Sequence, residues 1–221
     1  MGQRRPRSPD RLTLTDLSWA RETFERAEPR DLFYRLATMV MELGEVPGAT
    51  FSRAEGLAVL LQTWNEGYYR RLRHPFDAAH FDAVERLLHE YEPQLAVCRG
   101  RSIDTLEAAD EASSRQLFRA FENVLGKTGA TKALHLLAPR FFPLWDAAIA
   151  ALAYGLYQRD DIDYWQLMRS THGQAVGFGG EAALGRNALK AIDEYNYCRY
   201  TLGKVPPQAI DRMDHPTAAS R

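Results

Sequence analysis

Apolar residues recur three and four positions apart through most of this chain, and sustained alternation is hard to find. After Asp110, Leu117, Phe118, Phe121, Val124 and Leu125 fall on one face of a helix. Leu57, Leu60, Leu61 and Trp64 repeat the pattern, and so do Phe81, Val84, Leu87 and Leu88. No stretch has the period-two alternation between hairpin turns that a strand needs, and there is no internal repeat. The spacing predicts an all-α fold, with helices packed as a bundle or orthogonal array.

Local signals punctuate the helices. Thr15 and Asp16 are expected to cap a first helix through Trp19 and Phe24, and Asp31 precedes LFYRLATMVMELG, which should stop at Gly44. Ser52 and Glu55 form a capping-box pair. Further helices are expected over 130–137, 146–158 and 163–171, with one continuous last helix from Glu181. Residues 1–14 hold four Arg and little to bury, so they are expected to be a disordered basic tail. A single helical domain should span 15–204, followed by a proline-rich flexible tail over 205–221.

Length and charge restrict the function classes. The 221 residues suffice for one sizeable core. The formal net charge of −1 provides no global positive field for nucleic acid, so any DNA contact must use a local basic face. Cys98 and Cys198 lack CxxC spacing and read as reduced, buried thiols. No apolar run reaches the ~18 residues of a membrane span, and the basic N-terminus leads into no apolar signal region. A cytoplasmic protein is expected, with no membrane partner. The six histidines show no ligand spacing, so no metal and no cofactor are expected.

The segment richest in chemistry runs from Val124 to Ile149. GKTGATK (126–132) ends like a phosphate-binding P-loop, but Phe121 stands where the first glycine belongs and a helix precedes it instead of a strand. Gly126 and Gly129 instead suit a tight connection between two helices. The free amides of the following helix would form an anion site there, flanked by Lys127 and Lys132. Pro139 and Pro143 stiffen the next connection. Asp146 directly precedes an apolar helix, either as a plain N-cap or as a carboxylate held ready beside a rigid loop.

The run GATKALHLLAPRFFPLWD resembles the helix-hairpin-helix segment of the DNA glycosylase superfamily, as a divergent branch of it. The resemblance covers about a tenth of the chain. Thr128 and Ala130 stand where the superfamily usually has glycines, and the fourteen residues from Lys132 to Asp146 are fewer than it usually has. It implies a hairpin that binds DNA phosphate through Gly126, Lys127, Gly129, Thr131 and His135. It also implies Lys132 as an amine nucleophile, Asp146 as its electrostatic partner, and double-stranded DNA as partner. Trp64 and Tyr68, in a run mixing aromatics with Arg70, Arg71 and Arg73, are candidate walls for an extruded base. Two readings stand: a DNA-binding protein of glycosylase-like fold, with or without base-excision activity, and a non-catalytic helical binding or regulatory domain whose hairpin is structural.

Overall fold

The computed structural model describes residues 9–28, 31–44, 48, 51–71 and 75–206. Among these, every regular element is helical: α1 (Leu14–Ala27), α2 (Asp31–Gly44), α3 (Arg53–Trp64), α4 (Ala78–Arg99), α5 (Glu111–Leu137), α6 (Ala147–Tyr154), α7 (Asp161–Phe178), α8 (Gly180–Leu184) and α9 (Ala188–Asn196). The all-α expectation holds. Single wide π-helical turns, Gly67–Arg71 and Tyr197–Thr201, lie beyond α3 and α9.

The capping signals explain most helix starts. Ser52 and Glu55 close the expected box on α3. At α1 the cap is Thr13 rather than Thr15: Thr13 pairs reciprocally with Asp16, three residues into the helix. Asp146 caps α6 and Asp160 caps α7. Several lengths differ from expectation. Gly155 and Gly179, both left-handed, stop α6 at Tyr154 and α7 at Phe178. Gly185, also left-handed, splits the expected last helix into α8 and α9.

Two apolar clusters make the interior. The larger joins α2 through α7 around Phe118, Phe121, Trp145 and Tyr164, whose rings interlock: Phe118 stacks on Tyr164 at 4.8 Å and Trp145 meets Tyr164 edge-on at 5.6 Å. Each such fully buried ring contributes on the order of 2–3 kcal/mol. The smaller cluster packs Leu12, Leu17 and Ala20 against Ala188, Leu189 and Ile192.

That second cluster moves the start of the folded region. Leu12 is 3% exposed. The Asp10 carboxylate accepts from Tyr200 at 2.7 Å and from Tyr195 at 3.3 Å, and its carbonyl accepts from Gln174. Residues 10–14 are therefore docked, against the expectation of a loose tail to residue 14. The remainder of the two expected tails, 1–8 and 207–221, lies outside the described residues. No helix among the described residues is long and apolar enough to cross a membrane.

Candidate active site

The site is assembled by a break in α5 and by the stiff loop that follows it. Gly126 has φ 69° and ψ 169°, a conformation essentially restricted to glycine, and two helical segments meet there. The second segment begins at Lys127, three residues earlier than expected, and carries Lys132 and His135. Side chains from the turn after α3 seal the break. Asn65 Nδ2 donates to the Leu125 carbonyl at 3.0 Å, and the Tyr68 hydroxyl donates to the Val124 carbonyl at 3.3 Å. Tyr68 also lies over Gly126, where an added Cβ would meet its ring at 2.7 Å.

The loop from Ala138 to Asp146 is held by its carbonyls. Asn187 donates to Pro139, the Ile103 amide to Arg140, His135 to Phe142 and the Tyr164 hydroxyl to Pro143, at 2.7–3.1 Å. The fixed loop delivers Asp146 to the start of α6. One carboxylate oxygen accepts from the Ile149 amide at 2.7 Å; the other faces the Thr201 hydroxyl at 3.4 Å.

Lys132 and Asp146 line one pocket of about 190 Å³, with Trp64 on its wall and Thr201 exposed at its rim. Phe24 of α1, Trp145 and Tyr197 supply further aromatic surface; Glu28 and Asp193 add two more carboxyl groups. Lys132 is 8% exposed, donates through Nζ to the Trp64 carbonyl, and lies 5.7 Å from the centre of the Trp64 ring.

Around this pair the buried polar groups form a connected set. His135 is fully buried, and burial pulls its pKa down to about 4, so the imidazole is neutral. A carbonyl only accepts, so Nδ1 carries the proton toward Phe142 and Nε2 accepts from the Tyr34 hydroxyl at 3.1 Å. Tyr34 stacks on Trp64 at 5.6 Å. Burial pushes the Tyr34 phenol up, with Asp193, Asp31 and Glu194 adding to the shift. The Lys190 ammonium sits among three rings, 4.5 Å from the centre of Phe24, 4.9 Å from Tyr34 and 5.6 Å from Trp64, and pairs with Asp31 at 2.9 Å. Asp193 is partly exposed. Burial raises its carboxyl to about 7; Glu194 and Asp146 add to the rise, and Lys190 and Lys132 oppose it.

The candidates from sequence separate into three groups. Lys132, Asp146 and Trp64 come together in the pocket. Gly126 and Lys127 are partly exposed at the helix break, where Lys127 Nζ donates to the Gln158 carbonyl at 2.6 Å. Gly129, Thr131 and His135 are buried: Thr131 turns back to the Thr128 carbonyl, and His135 is bonded on both nitrogens. Burial removes these three from direct contact with a DNA phosphate, and His135 does not reach Asp146. Tyr68 is not a pocket wall; it closes the end of the first α5 segment. Arg73 lies outside the described residues.

Sequence reasoning passed over Lys190, Asp193, Glu28 and Tyr197. A signal existed on α9, where Lys190, Asp193 and Glu194 are interleaved at helical spacing with the apolar Leu189, Ile192 and Tyr195. Among the described residues, no group of three His, Cys, Asp or Glu could hold a metal ion. No family model, no curated protein and no solved structure matches the chain.

Proposed function

We propose that the chain is a DNA-facing protein of glycosylase-like architecture, with the Lys132–Asp146 pocket receiving an extruded base or its sugar. The observation that carries this reading is convergence: an amine and a carboxylate fourteen residues apart, on separate helices, share an aromatic-walled cavity. A flat base suits such walls. At about 190 Å³ the space is below the usual ~300–1,000 Å³ of drug-sized ligand clefts, in keeping with a single base or sugar.

In the reaction this reading implies, the Lys132 ammonium first gives up a proton to solvent, and the free amine attacks C1′ of the deoxyribose. The glycosidic bond breaks with its electron pair going to the base, and the amine's proton ends on the departing base. The Asp146 carboxylate offsets the positive charge that develops at C1′. Asp193, whose carboxyl burial raises to about 7, suits the task of handing that proton across. Opening of the sugar ring, with O4′ taking a proton from solvent, then leaves an iminium on Lys132, which borohydride reduces to a stable secondary amine.

The test is anisotropy of a duplex carrying an abasic-site analogue against an intact duplex, for wild type and Lys132→Ala, over a salt series. The expected result is lesion-preferring, salt-sensitive binding, and a borohydride-trapped adduct on an abasic-site duplex that is lost in Lys132→Ala. Absence of binding at low salt overturns the reading.

One observation favours the second reading, a non-catalytic helical domain. Lys132 ties α5 to the end of α3 through the Trp64 carbonyl, and the turn expected to clamp phosphate keeps Gly129 and Thr131 buried. On that reading Lys132→Met alters stability and no DNA is bound.

A further inference from the structure

We propose that α2 is the seam of a homodimer, pairing antiparallel with α2 of a second copy about a two-fold axis. The proposal is independent of the pocket's function. α2 is apolar on two opposite sides. Tyr34, Ala37 and Met41 face the core, at intervals of three and four residues. The other side carries Leu32, Leu36, Met39 and Leu43, at intervals of four, three and four, and these are 61, 44, 59 and 49% exposed. That spacing is the a/d seam of a paired helix. Turning each residue by 100° puts this stripe directly opposite the buried one.

A second copy is the occupant that the flanks specify. One flank of the stripe carries Phe33 and Val40, the other Arg35 and Glu42. In an antiparallel pair centred between Leu36 and Met39, Leu32 meets the partner subunit's Leu43 and Leu36 meets the partner subunit's Met39. Positions beside the seam then face their own kind. Arg35 lies against Glu42 of the partner subunit, twice by symmetry, and Phe33 lies against Val40 of the partner subunit. Both Arg35 and Glu42 are exposed, and no ion pair among the described residues engages them within the protomer. A parallel pair would set Arg35 beside Val40 and align the helix dipoles head to head; the antiparallel pair opposes the dipoles and matches the charges. The interface is isologous, as two-fold dimers require.

Sedimentation velocity of the full chain over a concentration series tests this. Wild type is expected to dimerise by mass action. Met39→Glu puts a charge in the middle of the seam on a side chain that is largely exposed in the protomer, so the helical circular dichroism should persist while dimerisation weakens at least ~10-fold. The charge variants read the orientation. Arg35→Glu and Glu42→Arg should each weaken self-association, and an equimolar mixture of the two should form heterodimers at wild-type strength, because both cross-pairs are then of opposite sign. A wild type that stays monomeric over the whole series overturns the proposal. So does a Met39→Glu protein that dimerises like wild type, or a mixture of charge variants that does not associate.

Discussion

The Tyr34 hydroxyl donates to His135 Nε2 at 3.1 Å, joining α2 to the second segment of α5 inside the core. With Nδ1–H satisfied by the Phe142 carbonyl, the bond fixes one tautomer of a neutral imidazole and positions the ring one helical turn from Lys132. Tyr34→Phe leaves Nε2 without its donor. A buried acceptor stripped of its partner costs about 1–3 kcal/mol, so urea unfolding should show a loss of that size; a loss below ~0.5 kcal/mol would mean that solvent reaches the ring.

The pH dependence of stability should contain two opposed contributions. His135 has a folded pKa near 4, below its ordinary value, so the unfolded chain takes up the proton first as the pH falls. Its contribution is full above about 6.5 and is lost as the pH drops toward 4, worth at most about 3 kcal/mol. Asp193 has a folded pKa near 7, above its ordinary value, so its contribution is full below about 4 and is lost as the pH rises through 7. The two slopes partly cancel over the same window. Asp193→Asn removes the second, and its stability should rise more steeply than wild type between pH 4 and 7, measured by urea midpoints at each pH. Parallel profiles for the two proteins would exclude a raised Asp193.

Asp146 allows its capping and chemical roles to be separated. Asparagine retains the side-chain oxygen that accepts from Ile149, so Asp146→Asn should keep the cap and melt within a few tenths of a kcal/mol of wild type. Asp146→Ala should cost about 1 kcal/mol. If the carboxylate acts on a sugar, both variants lose borohydride trapping. If trapping survives in Asp146→Asn, the charge is not used and the residue is a cap.

Gly126→Ala should be among the most damaging small substitutions. Its φ of 69° disfavours any Cβ, and the Tyr68 ring lies 2.7 Å from where one would go. Backbone strain alone is worth about 1–3 kcal/mol. Tyr68→Ala in the same chain relieves the collision but not the strain, so the double variant should melt higher than the sum of the single losses predicts. Strict additivity would show that Tyr68 already moves aside.

What could be read ahead was local. The Ser52–Glu55 box, the Asp146 cap and the stripe from Leu117 to Leu125 depend on residues within a turn or two of each other, and these matched. The convergence of Lys132 on Asp146 was suggested by a motif. Phe24, Glu28, Asp193 and Tyr197 reach the same pocket from the two ends of the chain, and no spacing rule connects residue 24 with residue 193. Left-handed glycines also escaped the periodicity argument, because at Gly155 and Gly185 it is the backbone that ends the helix while the apolar pattern continues.

Phe24 and Thr201 border the same cavity, so its construction is bound to the order of synthesis. A nascent chain that has emerged through α6 already has both Lys132 and Asp146, yet the wall carrying Asp193, Tyr197 and Thr201 does not exist. Cleavage or early termination upstream of α9 thus leaves the amine and carboxylate without that wall, and the cavity is complete only once Tyr197–Thr201 has been made.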